Sequence, residues 1–213
     1  PGGNLGTPAV DMVEASSDQG LTVLELSSFQ LALTRSLRLQ TAVVTNFGAD
    51  HLDRYRNLEE YLSDKLRMIS FVADEGTLVL PWGDPAVDPF RGAFRGRILW
   101  FGEGASLPQG CLIQGDQLRV RLGGRERVLP LPPAPGLAAP HHRLNLAAAV
   151  AALHALGVEP EAALQAVLSY PGLPGRVERV AESAGVVFIN DTQGTDLKAL
   201  AAALKMDGGR VRL

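Results

Sequence analysis

Three observations predict an α/β fold with a largely parallel sheet and added antiparallel hairpins. Short apolar runs alternate with helix-period segments through residues 21–80. Between residues 96 and 129 the pattern changes to brief alternating segments separated by Gly-Asp and Gly-Gly turns. The chain has 213 residues, 46% of them apolar and 20% charged, enough to bury one large core or two smaller ones.

In chain order, the run 21–26 follows the turn signal Asp18-Gln19-Gly20 and reads as a buried strand. Ser27 or Ser28 then caps a helix reaching Leu33. Residues 41–46 read as a second buried strand, and a polar loop holding His51 follows. The segment 57–72 reads as a helix, with Asn57 as N-cap and Glu60 completing a capping-box pattern. On it Leu58, Tyr61, Leu62, Leu66, Ile69 and Val72 form one stripe with Lys65 near its centre, while Glu60 and Arg67 point the other way. Residues 77–80 read as a strand ending at Pro81.

The segments 98–101, 118–122 and 126–129 read as antiparallel hairpins turning at 115–116 and 123–124. Five prolines in 130–140 predict a stiff surface connection. An Ala-rich helix over 142–156 stops at Gly157, and a second covers 159–168. YPGLPG at 170–175 reads as an interdomain hinge, followed by strands at 176–182 and 186–190 and a helix at 197–204.

Composition narrows the function classes. A net charge of −3 argues against a nucleic-acid partner. The single cysteine, Cys111, excludes an intrachain disulfide and a cysteine-rich metal site. No run of eighteen apolar residues and no secretory leader pattern is present, so the default expectation is a cytoplasmic protein without membrane insertion. The start at Pro-Gly-Gly-Asn and the stop at Arg-Val-Arg-Leu, where a strand pattern opens, read as cuts at both ends. No GxxxxGK[ST] loop occurs, so this stretch carries no evident nucleotide cradle.

In open α/β sheets functional groups gather beyond the carboxyl ends of strands, where Glu25, Asn46 and His51 all fall. A carboxylate at Glu25 is either paired, metal-bound or reaching solvent from a strand end. His51 with Asp50 and Asp53 suits a divalent cation, and equally a loop held by turn hydrogen bonds. Lys65 is one of only three lysines beside 17 arginines. A lysine on the packed side of a helix must snorkel, find an anionic partner or be chemically altered.

ELSSFQL (25–31), TNFGADHLDRY (45–55) and YLSDKLR (61–67) strongly resemble the Mur ligases. GGNLGTP (2–8), GLPGRVE (172–178) and NDTQGT (190–195) narrow the resemblance to the branch that joins D-glutamate to UDP-N-acetylmuramoyl-L-alanine. The six motifs run in family order over nearly the whole chain. The resemblance implies a P-loop-type central domain over 1–174 lacking its P-loop start, then the beginning of a Rossmann-like C-terminal domain over 175–213. It also implies a monomeric enzyme of cytoplasmic peptidoglycan precursor synthesis that uses ATP and Mg2+ and forms an acyl phosphate on the acceptor carboxylate. The amine of D-glutamate then attacks to form an amide.

Site roles carry over residue by residue. Glu25 matches the glutamate serving the magnesium between the ATP phosphates, and His51 matches the histidine at a second magnesium. Lys65 matches a lysine carbamylated by carbon dioxide, whose new anion helps hold that second ion. Only a neutral amine reacts so, which arginine cannot supply. Asn4, Ser27 and Gln30 match contacts to the muramoyl-alanine part of the substrate. Arg176 and Asp191 match residues reaching the nucleotide, and Thr195 matches a position near the incoming glutamate.

Some positions depart from the family pattern. His142-Arg143 and Asn145-Leu146 stand where a His-Asn pair and a further Asn are usual ahead of the Ala-rich helix. Gln193 replaces a lysine, and Gly175 a histidine. With no P-loop and an incomplete C-terminal domain, this stretch by itself is expected to be inactive. The alternatives are a sister Mur or folylpolyglutamate-type ligase, and a non-catalytic binding protein derived from one.

Overall fold

The computed structural model describes residues 1–14, 16–17, 20–48, 54–104, 106–134, 137, 139–194, 200–201 and 204. Two short strands, β1 (Gly2–Gly3) and β2 (Leu24–Glu25), pair in parallel apart from the main sheet, and α1 (Ser28–Leu33) follows them. The main sheet comprises β3 (Leu39–Val43), β4 (Val72–Pro81), β5 (Arg97–Glu103), β6 (Gly110–Gln114), β7 (Gln117–Leu122) and β8 (Arg125–Pro130), in that spatial order. Strands β3 to β6 run parallel, and β7 and β8 are antiparallel additions. Between β3 and β4 lies α2 (Leu58–Ser70). After the sheet come α3 (Pro140–Ala155), α4 (Pro160–Leu168) and a separate antiparallel pair, β9 (Glu178–Ser183) and β10 (Val186–Asn190).

The period-two pleat sorts the apolar residues onto two covered faces. Val79, Leu99, Phe101, Cys111 and Ile113 pack on one side with Leu146, Ala147, Val150 and Ala151 of α3. Leu78, Leu80, Trp100 and Leu112 pack on the other with Ile69 and Leu66 of α2. Leu78, Val79 and Leu80 are completely buried, which explains why β4 reads as a continuous apolar run. The sheet is therefore the middle of three layers. Alanines in α3 let its backbone lie close to the strands.

Local signals account for the helices. Asn57 caps α2 by accepting the N–H of Glu60 (2.9 Å), and the Glu60 carboxylate returns to the N–H of Arg56 (2.9 Å). Ser27 and Gln30 close a complete capping box at α1. The Gly123-Gly124 turn has positive φ at both positions, as a two-residue hairpin demands. Gly110 has φ +144, and a Cβ there would meet the Trp100 carbonyl oxygen at 1.8 Å, so only glycine lets β6 pair with β5.

Several expectations need correction. The run 21–26 is no buried strand: Leu21 and Val23 are 58% and 54% exposed, and pairing is confined to two residues opposite glycines that offer no side chain to pack. Short apolar runs carry no signal of which sheet they join. Residues 98–101 lie in a strand parallel to β4, and β6 was not anticipated. The proline-rich connection is stapled into the core by Leu131, Leu137 and Ala139, all buried. Leu58 is 42% exposed and Val72 belongs to β4. Arg67 does lie exposed off the apolar stripe, and from there it donates to the carbonyls of Leu31 (3.0 Å) and Thr34 (2.9 Å) at the end of α1, where the last carbonyls of a helix lack internal partners. Of the expected helix at 197–204, Leu200, Ala201 and Leu204 are described and are helical.

His141 and His142 open α3 with their rings edge-to-face at 4.4 Å, and both Nδ1 atoms are buried with no hydrogen-bond partner among the described residues. Burial holds both imidazoles below their ordinary value. For His141, Asp191 opposes this and Arg176 reinforces it; for His142, His141 reinforces it and Asp191 opposes it. A lowered folded-state value favours the neutral ring. That contribution to stability is present above the unfolded value of about 6.5 and is lost as pH falls through the folded value. Denaturant titrations between about pH 7 and 5 should show stability declining with acidity, less steeply in a His141→Gln, His142→Gln double variant.

Two further outcomes follow from the packing. Gly110→Ala should cost about 3 kcal/mol or more, read as a fall in thermal midpoint. Burial pushes the Cys111 thiol up to about 12, so an aromatic disulfide reagent at mild pH should label it only after unfolding.

Candidate functional site

The first group of site residues is assembled by the β1 and β2 pairing. The backbone N–H of Asn4 donates to the Glu25 carbonyl (2.8 Å), and its side-chain amide donates to Glu25 Oε1 (3.3 Å). Gly3 makes this approach feasible, since a Cβ on it would lie 2.3 Å from the Glu25 carbonyl oxygen. Glu25 is exposed, so the carboxylate is partnered and open to solvent rather than trapped at the end of a buried strand. Two residues on, the Ser27 N–H and hydroxyl both donate to Gln30 Oε1 (2.9 Å each), while the Gln30 N–H donates to Ser27 Oγ (3.3 Å). Asn4, Glu25, Ser27 and Gln30 thus sit together at the start of α1, with Ser27 and Gln30 occupied in capping one another.

An aromatic row connects this group to Lys65. Phe29 of α1 stacks on Tyr55 (centroids 5.5 Å, interplanar 14°), and Tyr55 meets Tyr61 edge-to-face (5.4 Å, 72°). Tyr61 lies one turn before Lys65 on α2 and accepts a hydrogen bond from its Nζ at 3.2 Å. Arg54 sits over the Phe29 ring at 5.9 Å. Lys65 is half-buried, consistent with its position on the packed stripe. His51, with its neighbours Asp50 and Asp53, lies outside the described residues, as does Thr195.

Arg176 and Asp191 form a second group at the turn before β9 and the end of β10. Asp191 Oδ1 accepts the N–H of Val177 (3.1 Å). Val177 has φ +51, a strained conformation for a β-branched residue, costing about 1–3 kcal/mol. The Asp191 carboxylate therefore helps hold the turn that presents Arg176, whose side chain is exposed. His141 is close enough to both to feel their charges. Gly175 and Gln193, the two departures from the family pattern in this region, meet directly. A Cβ on Gly175 would lie 2.9 Å from Gln193 Cγ, and the Gln193 N–H donates to the Gly175 carbonyl (2.9 Å).

Among the described residues no set of three or more His, Cys, Asp or Glu side chains is placed to hold a metal. Glu25 nonetheless fits Mg2+, an ion that takes one or two carboxylates and completes its shell with phosphate oxygens and water. The exposed Arg176 guanidinium suits a phosphate group. Sequence reasoning counted Tyr61 only as part of the apolar stripe and left Phe29 and His141 unassigned. The i,i+4 spacing of Tyr61 and Lys65 was the available signal.

Comparison with known proteins matches residues 4–153 to the Mur ligase middle domain. A UDP-N-acetylmuramoylalanine–D-glutamate ligase from Acidobacterium capsulatum is 35% identical over 215 residues, covering 100% of this chain and 46% of its own length. The enzyme of the same name from Nitrosospira multiformis is 37% identical, covering 95% of this chain and 44% of its own. The chain thus spans about half the length of the curated relatives it matches. Among solved structures, MurF from Acinetobacter baumannii superimposes with a TM-score of 0.63 at 21% identity, over 78% of this chain and 37% of that one. MurF ligase from Thermotoga maritima, solved with ADP, gives 0.58 at 20% identity, over 79% of this chain and 39% of that one. These structural likenesses concern the fold, and the middle-domain match extends through β3 to β8 and most of α3. The chain belongs to the Mur ligase family.

Proposed function

We propose that the protein is an ATP-dependent ligase that joins D-glutamate to UDP-N-acetylmuramoyl-L-alanine in peptidoglycan precursor synthesis, acting in the cytoplasm as a monomer. The observation that carries this reading is the 33–37% identity, over 95–100% of the chain, to relatives named for that reaction. The gathering of Asn4, Glu25, Ser27 and Gln30 at α1 supports it, because these are four of the residues that the family resemblance assigns to substrate and metal. No helix among the described residues is long and apolar enough to cross a membrane.

ATP supplies the phosphoryl group that activates the acceptor carboxylate as an acyl phosphate, and Mg2+ offsets the charge between phosphate and carboxylate. The chain's own residues do the holding. Glu25, oriented by Asn4, would offer its other carboxylate oxygen to one Mg2+ ion. Lys65, as a carbamate, and His51 would hold a second ion. Asn4, Ser27 and Gln30 orient the muramoyl-alanine end, and Thr195 contacts the incoming glutamate. Arg176 takes nucleotide phosphate charge while Asp191 keeps its turn in place. Because the chain spans about half the length of these relatives, the activity is proposed for the whole protein.

Two measurements test this. Offered a panel of amino acids, the complete protein should release phosphate from ATP with D-glutamate; turnover with another amino acid and none with D-glutamate refutes the substrate assignment. Lys65→Ala should lower the rate by about 100-fold or more, with partial rescue by a small added carboxylate. Full activity in that variant refutes the metal-holding role of Lys65.

A further inference from the structure

We propose that Tyr61 is a positioning residue for Lys65: its hydroxyl oxygen accepts the lysine N–H and sets the plane in which the lysine carbamate lies. The proposal rests on the carbamate reading of Lys65 given above and extends it to a residue to which that reading gives no role.

The geometry is specific. Lys65 Nζ is 3.2 Å from the Tyr61 hydroxyl and 5.4 Å from the Tyr61 ring centroid. Together these distances put the nitrogen beyond the hydroxyl end of the ring rather than above its face, so the hydrogen bond outweighs any cation–π attraction. The hydroxyl is itself held in place. Tyr61 is 5% exposed, Tyr55 packs against its ring edge-to-face, and Tyr55 is stacked on Phe29. The contact spans one turn of α2, so helix geometry fixes its length.

The chemistry gives this contact a consequence. The Nζ lone pair of the neutral amine attacks the carbon of CO2, a C–N bond forms, and one C–O π bond opens onto oxygen. One of the two amine protons leaves to water, so R–NH2 and CO2 become R–NH–COO− and H+. A single N–H remains. Conjugation makes the product planar, as in a peptide group, with that N–H in the plane of the two oxygens. A fixed acceptor for the N–H therefore fixes the plane and sends the carboxylate away from Tyr61. The hydroxyl can accept from the amine before reaction, but the conjugated carbamate N–H is the stronger donor, so the contact tightens on modification.

The test uses the complete protein under 13C-labelled bicarbonate at one fixed pH, with the carbamate carbon read by 13C NMR as bicarbonate is titrated. Tyr61→Phe keeps the ring and removes only the acceptor. It should need about fivefold more bicarbonate to reach half labelling, because the hydrogen bond it loses favours the carbamate over the amine by about that factor. Tyr55→Phe, which removes a buried hydroxyl with no hydrogen-bond partner among the described residues, should label as the parent does. Thermal unfolding of both variants confirms that each is folded at the titration temperature. Equal half-labelling in Tyr61→Phe and the parent overturns the role of Tyr61 while leaving the carbamate reading intact. A parent that does not label, or whose signal persists in Lys65→Ala, overturns the carbamate reading and this proposal with it.

Discussion

The clasp of Arg67 on the end of α1 is the interaction on which the arrangement of the site depends. A six-residue helix has almost no stability of its own, since forming its first turn costs more than its few hydrogen bonds return. Here both ends are secured. Ser27 and Gln30 satisfy the N-terminus between them, and the Arg67 guanidinium satisfies carbonyls at the C-terminus from the neighbouring helix. Hydrogen bonds to a charged donor are worth about 1.5–3 kcal/mol when shielded and less at a half-open surface like this one. That is enough to hold α1 in register with α2. The register matters because α1 follows directly on Glu25 while α2 bears Lys65.

The three-layer body supplies what the clasp holds on to. α2 is seated by Ile69 and Leu66 on one face of a sheet whose central strand is buried on both sides. The Ala-rich α3 closes the other face and begins at His141 and His142, beside the turn that carries Arg176 and Asp191. Both groups of site residues are thus anchored to rigid elements, while the groups themselves lie on caps, turns and two-residue strands. Rigid elements that position functional groups on loops are the usual division of labour in α/β proteins.

Much of this was legible in the sequence for physical reasons. Asn57 and Ser27 announce helix starts because a short polar side chain is the natural partner for unsatisfied N–H groups. Lys65 stood out because a charge on an apolar stripe demands explanation. The misreadings share a cause: pattern reports periodicity and polarity, not partners. The apolar run at 21–26 did not reveal that its strand partner among the described residues would be a pair of glycines. Parallel β5 was grouped with the hairpin strands although its run Ile98-Leu99-Trp100-Phe101 is continuously apolar, the mark of a strand covered on both faces. Arg67 does lie off the stripe, but helical phase could not show the neighbouring helix end that its guanidinium meets. Tyr61 was hidden in plain view, because tyrosine counts as apolar in a stripe while its hydroxyl decides what stands one turn away. The pairing of Gly175 with Gln193 was equally invisible, being a contact between residues eighteen positions apart.

The account stands or falls on whether the acceptor carboxylate is activated by phosphoryl transfer. The direct measurement gives the complete protein UDP-N-acetylmuramoyl-L-alanine labelled with 18O in its terminal carboxylate, together with ATP and D-glutamate, and analyses the released phosphate by mass spectrometry. Attack of a carboxylate oxygen on the γ-phosphorus, followed by amide formation with loss of phosphate, carries one labelled oxygen into each phosphate. That is the result predicted. Phosphate that emerges unlabelled while the amide product accumulates would contradict it.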